Sequence, residues 1–137
     1  VIARFEGFKQ GMTDAGLQLP DYFIRSSNFS QEPTRQAARE LLSLPNPPTA
    51  IFVATDIQAI IVIKVANEMG IKIPDDLAII GFDDLDIAEY VGLTTIRQPL
   101  DDSGRIAAEL LLSQLNDARR PIQHVKLPLC VVERDTV

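Results

Sequence analysis

Two uninterrupted apolar runs constrain the fold of this chain more than any other feature. Residues 50–54 read AIFVA, and residues 77–82 read LAIIGF. The apolar residues are continuous rather than alternating, which is typical of strands that are covered on both faces in a parallel sheet. Each run is followed by an acidic residue: Asp56 lies two residues after the first run, and Asp83 comes directly after the second. The sequence therefore predicts two buried strands with polar side chains at their carboxyl ends.

The remaining segments alternate between strand and helix patterns. Strands are predicted at 22–27, 50–54, 77–82, 93–98 and 128–134. Helices are predicted at 3–15, after a cap at Ser30, at 57–69 after a cap at Asp56, and at 101–117. This alternation indicates an α/β fold with a parallel, Rossmann-like sheet flanked by helices on both faces. In such folds ligands bind outside the carboxyl ends of the strands, where the acidic residues are expected.

Composition narrows the possible partners. The chain has 137 residues, with 13 Lys and Arg against 19 Asp and Glu, a net charge of −6. This balance gives no basic face for binding the phosphate backbone of DNA. The single Cys130 lies in an apolar stretch, so we expect a buried thiol and a reducing, cytoplasmic location. No apolar run reaches membrane-spanning length and no signal peptide is recognisable, so neither a membrane nor export is expected.

Catalytic and metal-binding patterns are missing from the sequence. The lone His124 has no histidine or cysteine at metal-ligand spacing, and there is neither a G-x-S-x-G motif nor a phosphate-binding glycine loop. We therefore expect no enzymatic activity, no metal and no cofactor.

Six segments resemble, in order and spacing, the ligand-binding core of the lactose/galactose repressor family of bacterial transcription regulators. They are RFEGF, PPTAIFVATDIQAI, MGIKIPDDLAIIGFDDLD, LTTIRQP, SGRIAAELLL and LPLCVVERDT. The resemblance implies an incomplete lobe of the periplasmic-binding-protein-like type I fold. It also implies that residues 1–96 and 129–137 form the C-terminal lobe, while 97–128 cross over to the N-terminal lobe. The DNA-binding helix-turn-helix and most of the N-terminal lobe would then lie outside this chain.

The crossover contains an amphipathic helix at 102–117. In the family its apolar stripe packs on the N-terminal lobe. Because most of that lobe is not in this chain, we expect the helix to be covered by another chain or to fold back onto its own domain.

The resemblance also assigns candidate ligand-binding residues. Arg4 and Asp83 match family positions that contact ligand, and their fixed donors and carboxylate oxygens suit sugar hydroxyls. Phe29 matches an aromatic residue that stacks on a sugar or base. Thr55 stands where several relatives have a ligand-contacting Asn. The structural alternatives are a surface arginine for Arg4, a turn cap for Asp83 and a hydrophobic staple for Phe29; Asp84 is expected to be structural.

The helix at 57–69 is apolar nearly all round, so one face can pack on the sheet while another meets a partner. The resemblance places a homodimer interface on this helix, at Ile57, Ile60 and Ile61. The alternative is a helix buried within one subunit.

Three functions remain open from sequence. The first is the effector-binding and dimerisation core of a transcriptional repressor or other regulator. It would respond to a sugar or nucleoside-like metabolite and reach operator DNA through a domain not in this chain. The second is a solute-binding protein of a transporter, which shares the fold. The third is a Mg²⁺-dependent phosphotransfer protein that uses Asp56, Asp83 and Asp84.

Overall fold

The computed structural model describes residues 2–117 and 119–137. The helices are α1 (Ile2–Asp14), α2 (Gln31–Leu42), α3 (Asp56–Glu68), α4 (Asp86–Tyr90) and α5 (Leu100–Asn116). The strands are β1 (Ala50–Phe52), β2 (Ala78–Asp83), β3 (Thr94–Arg97) and β4 (Cys130–Val132). Of the helices in the described residues, none combines the length and apolarity needed to cross a membrane.

The four strands form one sheet in the order β1-β2-β3-β4. The first three are parallel, which confirms the α/β prediction, but β4 runs antiparallel to β3. In the register of this last pair Arg97 lies opposite Cys130, so residues 98–129 leave the sheet and return to it at one point. Because the chain re-enters the sheet at the end where it left β3, β4 runs in the direction opposite to β3.

Helices cover the sheet on both faces, as the continuous apolar runs predict. On one face Ile79 belongs to the buried core with Ala59, Val62 and Val65 of α3. On the other face Phe52 stacks on Phe8 of α1, with ring centroids 5.0 Å apart. The pleat of β1 and β2 therefore divides their side chains between α3 and α1.

The predicted strand at 22–27 is wrong. Residues Asp21–Phe23 form a short 3-10 helix, and the segment after it pairs with no strand. The side chain of Arg25 donates hydrogen bonds to the carbonyls of Tyr22 and Ile24. These carbonyls are thus satisfied locally, without a neighbouring strand.

Two helix caps also differ from prediction. Ser30 occupies the N-cap position of α2, but its side chain makes no capping bond; instead the Thr34 hydroxyl donates back to the Ser30 carbonyl. The cap of α3 is Thr55, whose hydroxyl accepts from the Gln58 backbone N–H, and not Asp56. The backbone at Thr55 is extended, as a cap requires, whereas Asp56 already belongs to the helix.

The segment between β3 and β4, residues 98–129, is hereafter called the excursion. None of its described residues is buried, and within α5 Leu111 and Leu115 are 61% and 74% exposed. The expectation that the predicted helix at 102–117 folds back onto its own domain is therefore wrong. The buried thiol predicted at Cys130 is also wrong, because this residue lies exposed on the edge strand β4.

Candidate functional site

The carboxyl ends of β1, β2 and β3 bring polar side chains together at one edge of the sheet. Asp83 is the last residue of β2, Asp84 follows it, and Gln98 follows β3. Arg4 reaches this edge from α1, where it donates to the carbonyl of Ala54 just beyond β1. Residues far apart in sequence thus form one cluster, as the parallel order of the strands requires.

Asp83 lies at the centre of this cluster. Its Oδ1 accepts hydrogen bonds from Arg4 at 2.9 Å and from the Gln98 side-chain amide at 2.6 Å. Among the described residues no group donates to its Oδ2, and the side chain is 18% exposed. The carboxylate is therefore oriented by one oxygen and presents the other as a free acceptor.

Arg4 is held by three different kinds of contact. One guanidinium nitrogen donates to the Ala54 carbonyl at 2.5 Å, another donates to Asp83, and the guanidinium carbon lies 4.0 Å from the centre of the Phe82 ring. A guanidinium has five N–H donors, so the contacts to Ala54 and Asp83 leave donors for a ligand. The stacking on Phe82 fixes the plane in which those donors lie.

Asp84 is tied to the protein rather than presented to a ligand, in accordance with its expected structural role. Its two oxygens accept from Arg97 at 2.5 Å and from Arg134 at 2.7 Å, and its side chain is 6% exposed. Burial raises the pKa of the Asp84 carboxyl, but the hydrogen bonds from Arg134 and Arg97 outweigh it and hold the pKa below its ordinary value. Asp84 therefore remains ionised at neutral pH.

The backbone at Asp83 and Asp84 is unusual. Both residues have positive φ angles, 124° and 58°, which residues other than glycine rarely adopt. Such conformations persist where surrounding contacts over-determine them, and they cluster at functional sites. Here the contacts come from Arg4, Gln98, Arg97 and the buried Asp56.

Asp56 supports the loop after β2 from inside the domain. It is fully buried, and its two oxygens accept from the Leu85 backbone N–H at 2.8 Å and from the Thr95 hydroxyl at 2.5 Å. A Cβ atom on Gly81 would meet the Asp56 carboxylate, so only glycine fits beside it. Both carboxylate oxygens are thus committed to the fold, which removes Asp56 from the proposed Mg²⁺ site.

Thr55 lies close to the cluster, but its hydroxyl is engaged with Gln58. Besides capping α3, it donates to the Gln58 side-chain oxygen at 3.1 Å. The Gln58 amide donates in turn to the Ser27 hydroxyl at 2.7 Å. This chain of bonds ties the loop before α2 to the end of β1. Sequence reasoning missed Gln58, because its partners lie both one turn and 31 residues away.

Phe29 lies in that same loop with a positive φ of 62°, and the residue is 56% exposed. The staple alternative is not supported, because the fourth residue of α2 is the buried, polar Thr34 rather than an apolar partner. An exposed aromatic ring on a strained residue is suited to stacking on a ligand.

An open groove of about 650 Å³ runs between the loop after β2 and the start of α5. The groove is lined by five aspartates and one arginine, so it favours neutral or cationic ligands over anions. Within residues 2–117 and 119–137 no three His, Cys, Asp or Glu side chains are grouped to hold a metal ion.

The predicted dimer residues lie along one side of α3. The opposite side supplies the buried core residues Ala59, Val62 and Val65. Ile57 is 51% exposed, and Ile60 and Ile61 are half-buried. The helix thus buries one face in its own domain and leaves three isoleucines facing away from the core.

A mostly parallel sheet, covering helices and polar strand ends are typical of the periplasmic-binding-protein-like fold. The chain belongs to the periplasmic binding protein-like domain family, whose sequence model matches residues 2–137.

Transcription regulators are among the proteins that this chain resembles. The chain is 36% identical over 136 residues to the HTH-type transcriptional repressor PurR of Klebsiella pneumoniae (strain 342). That match covers 98% of this chain and 40% of the repressor.

Two solved structures agree. A LacI-family regulatory protein from Chloroflexus aggregans superposes with a TM-score of 0.90 at 32% identity, covering 97% of this chain and 49% of that one. A LacI-family regulator from Enterococcus faecium with bound ribose has a TM-score of 0.87 at 31% identity, covering 98% and 50%. The resemblance to the lactose/galactose repressor family is therefore confirmed, and the chain spans about two fifths of the length of the curated relatives it matches.

Proposed function

We propose that this chain is part of the effector-binding core of a transcriptional regulator that responds to a sugar or nucleoside-like metabolite. The observation that carries the proposal is the Asp83 carboxylate, held at Oδ1 by Arg4 and Gln98 with Oδ2 left as an acceptor. Its regulator relatives, one of them with bound ribose, favour this function over transport.

The chemistry of the cluster suits a neutral, hydroxyl-rich ligand. The positive charge of Arg4 is balanced by Asp83, and the adjoining groove is acidic, so an anionic effector would be repelled. Asp83 Oδ2 would accept from a ligand hydroxyl or N–H, and the remaining Arg4 donors would reach ligand oxygens. Phe29 would stack on the ligand, and Thr55 would border the site at the end of β1 while its hydroxyl stays bonded to Gln58.

The excursion accounts for the proposed division of the chain. Residues 1–96 and 129–137 would form the C-terminal lobe, and 97–128 would belong to a neighbouring N-terminal lobe. The exposed leucines of α5 support this division, because a helix with such a face needs a covering partner. Effector binding would then act by favouring one arrangement of the two lobes over another.

The partners and location follow from the same function. DNA would be reached through a separate helix-turn-helix domain, because the net charge of −6 disfavours direct contact by this chain. Two copies would associate through Ile57, Ile60 and Ile61 of α3. A regulator of this kind works in the cytoplasm without catalysis, metal or cofactor.

The experiment is a ligand titration of the natural-length protein and its Asp83→Ala variant. A thermal-shift panel of ribose, cellobiose, other sugars and nucleosides identifies the ligand, because ligand that binds only the folded state raises stability. Losing the carboxylate is expected to cost on the order of 1.5–3 kcal/mol, a tenfold or greater loss of affinity. Binding to DNA fragments selected from a random pool is expected to persist.

The matched control is Asp75→Ala, which removes an exposed carboxylate in the turn before β2. Its titration curve is expected to match that of the unmodified protein. An unchanged curve for Asp83→Ala would remove Asp83 from the site and overturn the proposal.

A further inference from the structure

Gln58 is a buried polar side chain in a helix whose core residues are mostly apolar. It lies in the first turn of α3 and is 7% exposed, whereas the helix otherwise buries chiefly Ala59, Val62, Val65 and Ala66. A buried amide destabilises a protein unless its donors and its acceptor are bonded, a requirement that an apolar side chain of the same size would not have. The positions of its partners therefore indicate what this glutamine does.

Both ends of the Gln58 amide are used. Its Oε1 accepts from the Thr55 hydroxyl at 3.1 Å, and the same hydroxyl accepts from the Gln58 backbone N–H. Because Thr55 holds the oxygen, the amide nitrogen faces the loop before α2. There Nε2 donates to the Ser27 hydroxyl at 2.7 Å, and the Thr34 hydroxyl lies 3.5 Å away. The amide thus joins the end of β1 to that loop.

The loop that Gln58 reaches carries Phe29 in a left-handed backbone conformation, with φ at 62°. The Thr34 hydroxyl lies 3.1 Å from the Ser27 hydroxyl and donates at 2.8 Å to the Ser30 carbonyl. Hydrogen bonds therefore hold the chain on both sides of Phe29, at Ser27 and at Ser30. A residue other than glycine keeps a positive φ only where the surrounding contacts over-determine it. These two anchor points provide such contacts.

We propose that Gln58 is a positioning residue that sets where the Phe29 ring lies in the effector site, by anchoring Ser27. This inference rests on the proposed function, in which Phe29 stacks on a ligand. Gln58 itself is buried and acts through the loop rather than by touching ligand. The same amide keeps the Thr55 hydroxyl engaged, so that hydroxyl is not offered to a ligand.

The first measurement follows the Phe29 ring itself, in ligand-free protein of natural length. Codon suppression with 4-fluorophenylalanine at this position gives one fluorine NMR resonance, whose chemical shift reports the surroundings of the ring. Gln58→Met keeps the length of the side chain but removes its amide, and Ser27→Ala removes the acceptor at the other end. Each is expected to displace or split the resonance. Combining them is expected to match Gln58→Met alone, because the bond can be lost only once.

Two serine variants separate loss of this bond from general damage to the loop. Ser26→Ala makes the same substitution at the exposed serine directly before Ser27 and is expected to leave the resonance in place. Ser27→Thr keeps a hydroxyl to accept from the amide and is expected to restore it. The Arg25–Glu40 ion pair, at 3.2 Å, is untouched in every variant, so the loop keeps its other link to α2.

The second measurement asks whether the position of the ring matters for binding. Calorimetric titration uses the sugar or nucleoside that gives the largest thermal shift. Losing one neutral hydrogen bond that holds the bound arrangement should lower the affinity by about two- to tenfold in Ser27→Ala. In a Phe29→Leu background, which is itself expected to bind more weakly, Ser27→Ala should have no further effect, because there is no ring left to position.

The two proposals fail in different ways. A resonance that stays in place in both Gln58→Met and Ser27→Ala overturns the positioning role. An undiminished effect of Ser27→Ala in the Phe29→Leu background overturns it too, since Ser27 would then act without the ring. If Asp83→Ala titrates like the unmodified protein, the proposed function fails, while the fluorine measurement, made without ligand, still decides whether Gln58 positions Phe29.

Discussion

Replacing Asp56 tests whether the loop after β2 is supported from inside the domain. Asp56→Ala leaves the Leu85 N–H and the Thr95 hydroxyl without their acceptors in a fully buried position. Each orphaned group costs about 1–3 kcal/mol, so the free energy of unfolding should fall by about 2–6 kcal/mol. Against a typical total of about 5–15 kcal/mol this is a severe loss.

Asp56→Asn provides the discriminating comparison. Its oxygen can accept from the Leu85 N–H while its amide donates to the Thr95 hydroxyl, so the loss should be about 1 kcal/mol. Asp75→Ala, at an exposed position, should change stability by less than about 0.5 kcal/mol. Urea denaturation measures all three, and hydrogen exchange at the Leu85 amide should accelerate in Asp56→Ala. If Asp56→Ala is no more destabilising than Asp75→Ala, the carboxylate does not support the loop.

Two further predictions concern acid stability and assembly. Because the folded-state pKa of Asp84 is lowered, its contribution to stability is complete above the unfolded pKa of about 3.9 and is lost as the pH falls through the lower folded pKa. Asp84→Asn should therefore lower the urea midpoint at pH 7 and approach the unmodified protein in acid; a constant difference down to pH ~2 would contradict this. Ile60→Glu should convert the proposed dimer into monomers in sedimentation, whereas Lys64→Glu, one helical turn away, should weaken it less; an intact Ile60→Glu dimer would exclude this face.

The parallel strands could be predicted from sequence because continuous apolar runs carry the signal of burial on two faces. β1 and β2 lie within two residues of the predicted strands at 50–54 and 77–82, and Asp83 is the last residue of β2. The direction of β4 could not be predicted, since it depends on where residues 98–129 return to the sheet. A local pattern also predicted a strand at 22–27. In the structure the Arg25 side chain donates hydrogen bonds to the Tyr22 and Ile24 carbonyls, so these groups are satisfied without a neighbouring strand.

At the candidate site, too, local sequence patterns did not predict contacts between residues that are distant in the sequence. Asp56 follows a strand and precedes a helix, so local reasoning predicted a cap, yet its oxygens reach Leu85 and Thr95, 29 and 39 residues away. Arg4 and Asp83 were each assigned to the site through the family resemblance, and the hydrogen bond between them was not predicted, because 79 residues separate them. Nothing in the sequence around Gln98 marks it as a partner of Asp83. Contacts of this kind become visible only after the strands are ordered in space.

The most direct test of the central claim is a crystal structure of the natural-length protein with the sugar or nucleoside that gives the largest thermal shift. The account predicts a ligand hydroxyl or N–H within hydrogen-bonding distance of Asp83 Oδ2, with a ligand oxygen facing Arg4. A ligand bound elsewhere in the protein, with no contact to either residue, would contradict the assignment of the effector site.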